Sequence, residues 1–154
     1  MKNKDYKVRI DGIEIIEKAL YIFSAEENDN YKFKVITESV VDRTKKIIVV
    51  FVLINVVKEK DVNESIAKLV VAMGFGIEDF EKALKTNKLN VFKIPSELEN
   101  FLKGIAISTI RGIMYSEFRG TAIHKAILPI ILIDSLTAAS PDDEVLMARI
   151  KAKK

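Results

Sequence analysis

"KKIIVVFVLINVV", residues 45–57, decides the fold. From Ile47 to Val57 every side chain except Asn55 is apolar, and most branch at Cβ. Such branching restricts χ1 and favours extended backbone, so at this length the run reads as a buried strand with two apolar faces and not as a helix. Its neighbours make it one of a set. Upstream, in YKFKVITESVV, residues 31–41, Tyr31, Phe33 and Val35 alternate with Lys32, Lys34 and Ile36, the period-two pattern of a half-buried strand. Downstream, SIAKLVVAMGFG, residues 65–76, is a further strand that ends at Gly74 and Gly76. The charged stretches 42–45 and 61–64 supply the turns. IEIIEKALYIF, residues 13–23, is dense in β-branched and aromatic side chains; its spacing also suits a turn or two of helix, and context makes it the first strand. The expectation is a four-stranded antiparallel meander over residues 13–76.

The second half changes period. Residues 77–89 read as a short helix or helical loop, and 90–94 as a brief extended piece. Pro95 and Ser96 then open a helix over 96–119, with Ser96 and Glu99 at capping-box spacing. Leu98, Phe101, Leu102, Ile105, Thr109, Ile113, Met114 and Phe118 recur at three- and four-residue intervals, and Gly120 suits a left-handed helix stop. A last helix, 140–152, starts at Ser-Pro-Asp-Asp-Glu, which offers a cap, a first-turn proline and acids at the positive helix end. Strands followed by helices predict an α+β fold, with the long helix and the shorter C-terminal helix laid on one face of the sheet. Ile105, Ala106, Ile107 and Ile110 also make the long helix apolar on more than one side. Together with the two apolar faces of strand 46–57, this predicts a partner subunit.

At 154 residues the chain suits one domain, 1–154, with a core that needs no staples. With 49% hydrophobic and 31% charged residues it belongs with globular proteins. It has no cysteine, which removes disulfides, thiolate catalysis and thiolate metal sites and agrees with a reducing compartment. The polar start MKNKDYKVRIDG has no apolar signal-like stretch, and the expected location is cytoplasmic. A net charge of +3 does not demand a nucleic-acid partner. Arg149, Lys151, Lys153 and Lys154 read as cations at the negative end of the last helix.

Chemistry-bearing motifs are scarce. His124 is the only histidine, so a multi-histidine metal site is impossible and any Ser/His/Asp arrangement must use it; a structural role is the expectation. GFG, 74–76, lacks the third glycine and the strand-to-helix context of dinucleotide binding and reads as a strand-end turn. The acidic neighbours Glu26 and Glu27, Asp79 and Glu81, and Asp142 and Asp143 read as solvated loops. Arg111 and Arg119 sit near one side of the long helix, in water or in reach of acids on another subunit. No catalysis, metal or cofactor is expected. The aliphatic stretch 127–133, ILPIILI, is too short to span a bilayer, so membrane insertion is not expected; its fold, another subunit or a ligand must cover it.

The order of these pieces is familiar. A four-stranded meander, a strand end at GFG, a helix closing in FRGT and then ILPIILIDSL resembles the SecB protein-export chaperone family over roughly residues 13–136. The resemblance implies an ATP-independent, non-enzymatic holdase for unfolded polypeptides, assembled as a dimer or a dimer of dimers. By position it implies a client groove walled by Phe23, Tyr31, Phe33, Ile123, Ile127, Leu128, Ile130 and Ile131, with 120–139 as the helix-connecting segment. It assigns Ala67, Leu69, Val71 and Met73 to subunit assembly. Members present an acidic sheet surface to the SecA motor, whereas the approximately matching positions here, including Ala19, Lys68 and Val70, are apolar or basic. SecA docking is therefore doubtful, and a SecB-like variant that serves a toxin–antitoxin pair stays open. The rival reading is a hot-dog-like thioesterase. Against it, the long helix follows the strands and no acid, base and nucleophile converge in the sequence.

Overall fold

A computed structural model of the chain describes residues 5–21, 29–86, 89, 91–136 and 140–152. Four antiparallel strands, β1 (Val8–Leu20), β2 (Tyr31–Asp42), β3 (Ile47–Lys58) and β4 (Asp61–Ile77), form one sheet in the order β1-β4-β3-β2. The strand with two apolar faces thus lies inside the sheet, where both faces can be covered. GFG lies within the last residues of β4 and not in a turn. A short helix α1 (Phe80–Ala83) and a two-stranded ribbon, β5 (Lys85–Thr86) with β6 (Phe92–Lys93), lead into the long helix α2 (Ser96–Glu117). A short 3₁₀ turn (Ile133–Ser135) and the helix α3 (Pro141–Ala152) complete the described chain.

Register explains which side chains share a face. Val50 pairs with Met73, Val52 with Val71 and Ile54 with Leu69, and all six pack under α2 through Leu98, Leu102, Ala106, Ile107, Ile110 and Met114. Phe51 pairs with Ala72 and Leu53 with Val70 on the other face, where Ile36, Met147 and Ile150 complete a second, smaller core. The α+β class, the four antiparallel strands and the two helices are as the sequence reading has them, but β1 pairs with β4 and not with β2, so the sheet is not the simple meander expected, and the helices do not share a face. The long helix takes one side of the sheet and α3 the other. The second apolar face of β3 is therefore covered in part by the chain's own C-terminal helix.

The helix starts also divide. At α2 the N-cap position is Pro95 with no side-chain cap, so the Ser96–Glu99 capping box does not form; Glu99 pairs with Lys103 one turn on (2.8 Å). At α3 the box is complete: Ser140 N–H donates to Asp143 Oδ2 (2.8 Å), and Asp143 N–H donates to Ser140 Oγ (3.3 Å). Among the described residues no helix is long and apolar enough to cross a membrane, and no cluster of potential metal ligands forms.

Candidate binding groove

The segment after α2 has little regular structure and is fixed by specific anchors. Gly120 has φ +76°, which turns the chain out of the helix in a conformation that costs an L side chain about 1–2 kcal/mol. Thr121 Oγ1 donates to the Phe118 carbonyl oxygen (2.7 Å) and accepts from the Ile123 N–H (3.3 Å). His124 Nδ1 lies 2.9 Å from the Thr121 carbonyl oxygen, so the lone histidine belongs to this turn. Ile123, Ala126 and Leu128 are buried in the core beneath. From α2, Arg111 Nε donates to the Leu128 carbonyl (2.8 Å) and Arg111 Nη2 to the Pro129 carbonyl (2.9 Å).

Beyond these anchors the side chains divide. Ile127, Ile130 and Leu132 are 55%, 87% and 74% exposed, while Ile131 and Leu136 turn back and are half-buried against the core. Across from them, on the α2 side of the edge strand β2, stand Tyr31, Phe33 and Val35. These two rows, with Lys32 and Pro129, enclose a groove of about 380 Å³. Both walls are apolar, and the polar groups sit at the strand end. Lys32 pairs loosely with Glu59 (3.8 Å), and Lys58 with Asp29 (3.1 Å). Burial pushes the Tyr31 phenol above its ordinary range, Asp29 adds to this and Lys58 opposes it, so Tyr31 stays a neutral hydroxyl at the rim.

A larger hollow of about 700 Å³ lies on the opposite face, over Val49, Phe51, Ala72 and Gly74, at the C-terminal end of α3. Its rim carries Asp11, Glu14, Asp42, Lys45 and Lys151. It lies across the sheet from the aliphatic segment, and its charged rim suits an apolar ligand less well than the groove does.

The expected site residues fall into four places. Tyr31, Phe33 and Ile131 line the groove together; Ile127 and Ile130 stand on the outer side of the connecting segment. Ile123 and Leu128 are core residues, so they support the wall from behind and offer no surface. Phe23 lies outside the described residues. Ala67, Leu69, Val71 and Met73, expected at a subunit contact, are buried under α2 in the chain's own core. Alternation along β4 marks a buried face, but it cannot say that a helix of the same chain covers it. The sequence reading did not place Val35, Pro129, Leu136 or Arg111 at the groove. Val35 and Leu136 carried a signal, through alternation and aliphatic context; Arg111 carried none, because its partners are backbone carbonyls of a distant segment.

No protein-family model matches the chain, and no curated protein matches it. Among solved structures it is similar to the SecB-like chaperone of Mycobacterium tuberculosis, solved in complex with a ChAD peptide from an antitoxin. The match has a TM-score of 0.58 and covers 80% of this chain and 89% of that one. The fold is SecB-like. At 14% identity the likeness lies in the backbone path. Within the SecB-like fold, the groove lies between the edge strand of the sheet and the segment that joins the two main helices.

Proposed function

We propose that this chain is a SecB-like holdase, which takes apolar stretches of unfolded polypeptide into the groove between β2 and the connecting segment without nucleotide and without making or breaking a bond. One observation carries the reading: two apolar walls face each other across the groove, and the segment that carries one of them presents three more large aliphatic side chains, Ile127, Ile130 and Leu132, to solvent beside it. Exposed apolar side chains concentrated on one segment mark an interaction surface. Burial of such side chains is non-directional, so a groove of this kind accepts many sequences. Each large client side chain fully buried contributes about 1.5–3 kcal/mol before ordering costs. The antitoxin peptide held by the structural neighbour supports a polypeptide ligand and a toxin–antitoxin setting; service in protein export is the other setting consistent with the fold.

Self-association belongs to the proposal, on a surface other than the one first expected. Ile10, Ile13 and Ile15 of the edge strand β1 are exposed on the α2 side of the sheet, and Phe101 and Tyr115 are exposed on α2. A second copy that covers them gives the dimer from which a dimer of dimers is built.

The test is capture of a permanently unfolded protein, reduced and carboxymethylated α-lactalbumin, with no nucleotide present. Wild type is expected to hold it and to ignore the folded form. Ile131→Asp and Phe33→Ser, both at half-buried groove positions, are expected to weaken capture at least tenfold, about 1.4 kcal/mol, at a temperature where circular dichroism and light scattering show both variants folded and assembled as the wild type is. Capture that survives both substitutions would remove the groove as the site.

A further inference from the structure

We infer that Arg111 is the positioning residue of the groove, an inference that rests on the holdase reading above. Its guanidinium donates from Nε to the Leu128 carbonyl and from Nη2 to the Pro129 carbonyl. In an extended chain the carbonyls of consecutive residues point to opposite sides of the backbone. Two consecutive carbonyls held by one planar fork therefore define a corner at residues 128 and 129. Pro129 makes the corner stiffer, because its ring fixes φ and it has no N–H to offer a competing bond. A guanidinium has the fixed donor geometry to hold both oxygens at once, whereas an ammonium acts as a single point charge.

The corner decides which side chains face the client. Leu128, before it, is buried; Ile130, after it, is 87% exposed; Ile131 turns into the groove opposite Phe33 and Val35. Without the fork, the carbonyls of 128 and 129 are free to rotate toward water, and Ile131 loses its fixed direction. Arg111 thus acts through Ile131 and touches no client itself. Pre-organisation of this kind shows mainly in the dissociation rate, since a wall that is already placed has less ordering to lose on binding.

The experiment is a double-mutant cycle on the full chain, read as the dissociation rate of fluorescently labelled, carboxymethylated α-lactalbumin. Arg111→Lys, which keeps the charge and the aliphatic stem, is expected to speed dissociation about tenfold with little change in association rate. The same substitution in an Ile131→Ala background is expected to add little, because the side chain that Arg111 orients is already gone. Arg111→Gln, with a neutral side chain, is expected to follow Arg111→Lys, which separates fork geometry from charge. Additive effects in the two backgrounds, or an unchanged dissociation rate in Arg111→Lys, would overturn the positioning role while leaving the groove intact. A wild type that fails to hold the probe would overturn both.

Discussion

Ser39 sits on β2 with its Oγ buried and without a hydrogen-bond partner among the described residues. A hydroxyl taken out of water with nothing to bond costs on the order of 1–3 kcal/mol, and Ala at the same place carries no such cost. Ser39→Ala is accordingly expected to raise the unfolding free energy by about 1 kcal/mol after allowance for the lost oxygen contacts. Urea titration at neutral pH measures it, and a variant less stable than wild type would mean that the hydroxyl is satisfied. At this scale the sequence is legible where backbone geometry selects a residue type. Gly120 is read as a left-handed stop, and it has φ +76°. It is not legible where a side chain has several possible partners: Glu99 prefers Lys103 to a capping box, and Arg111 reaches two carbonyls that no spacing rule points to.

Among the elements, α3 is the one whose position rests most on polar contacts. It buries only Met147 and Ile150, and it is tied to β2 by Lys34 with Asp143 and by Lys151 with Glu38. Burial alone would raise the Asp143 carboxyl, but hydrogen bonds from Lys34 and from Ser140 outweigh it and hold the group below its ordinary value of 3.8. A carboxyl whose folded pKa is depressed stabilises the fold above its unfolded pKa, and that contribution is lost as pH falls through the folded value. The hold on α3 is therefore expected to be complete at neutral pH and to fail below about pH 4. Urea midpoints from about pH 3 to pH 7 test this: Asp143→Asn should lower stability by about 1 kcal/mol at pH 7 and flatten the acid limb. An acid limb unchanged by the substitution would assign the loss to other carboxylates. The sequence showed where α3 begins, because Ser140 and Asp143 are close neighbours in the chain. It did not show which face α3 takes, because Lys34 and Glu38 are more than a hundred residues away.

At the scale of the whole molecule, the two apolar faces of β3 led to the expectation of a partner subunit. The helices of the same chain cover one face and part of the other, and the case for a partner moves to β1. Ile10, Ile13 and Ile15 pair with Phe75, Met73 and Val71, so they lie on the face that α2 roofs over β3 and β4 but leaves open over β1. Lys18 on β1 reaches Glu117 at the end of α2 (2.7 Å), which joins the strand and the helix at one end of this open surface. An edge strand that leaves apolar side chains open is unstable against association unless something specific covers it. We expect that cover to be a second copy. Ile13→Asp with Ile15→Asp should reduce the mass measured by light scattering to that of a smaller species, with the circular dichroism of the fold retained, since both positions are 40–50% exposed and neither fills the core. Loss of assembly should also weaken capture of a long unfolded chain more than capture of a short peptide, because a long client engages the grooves of several copies at once. If the doubly substituted protein keeps its mass, β1 is not the assembly surface, and the exposed face of α2 around Phe101 and Tyr115 becomes the one to alter next.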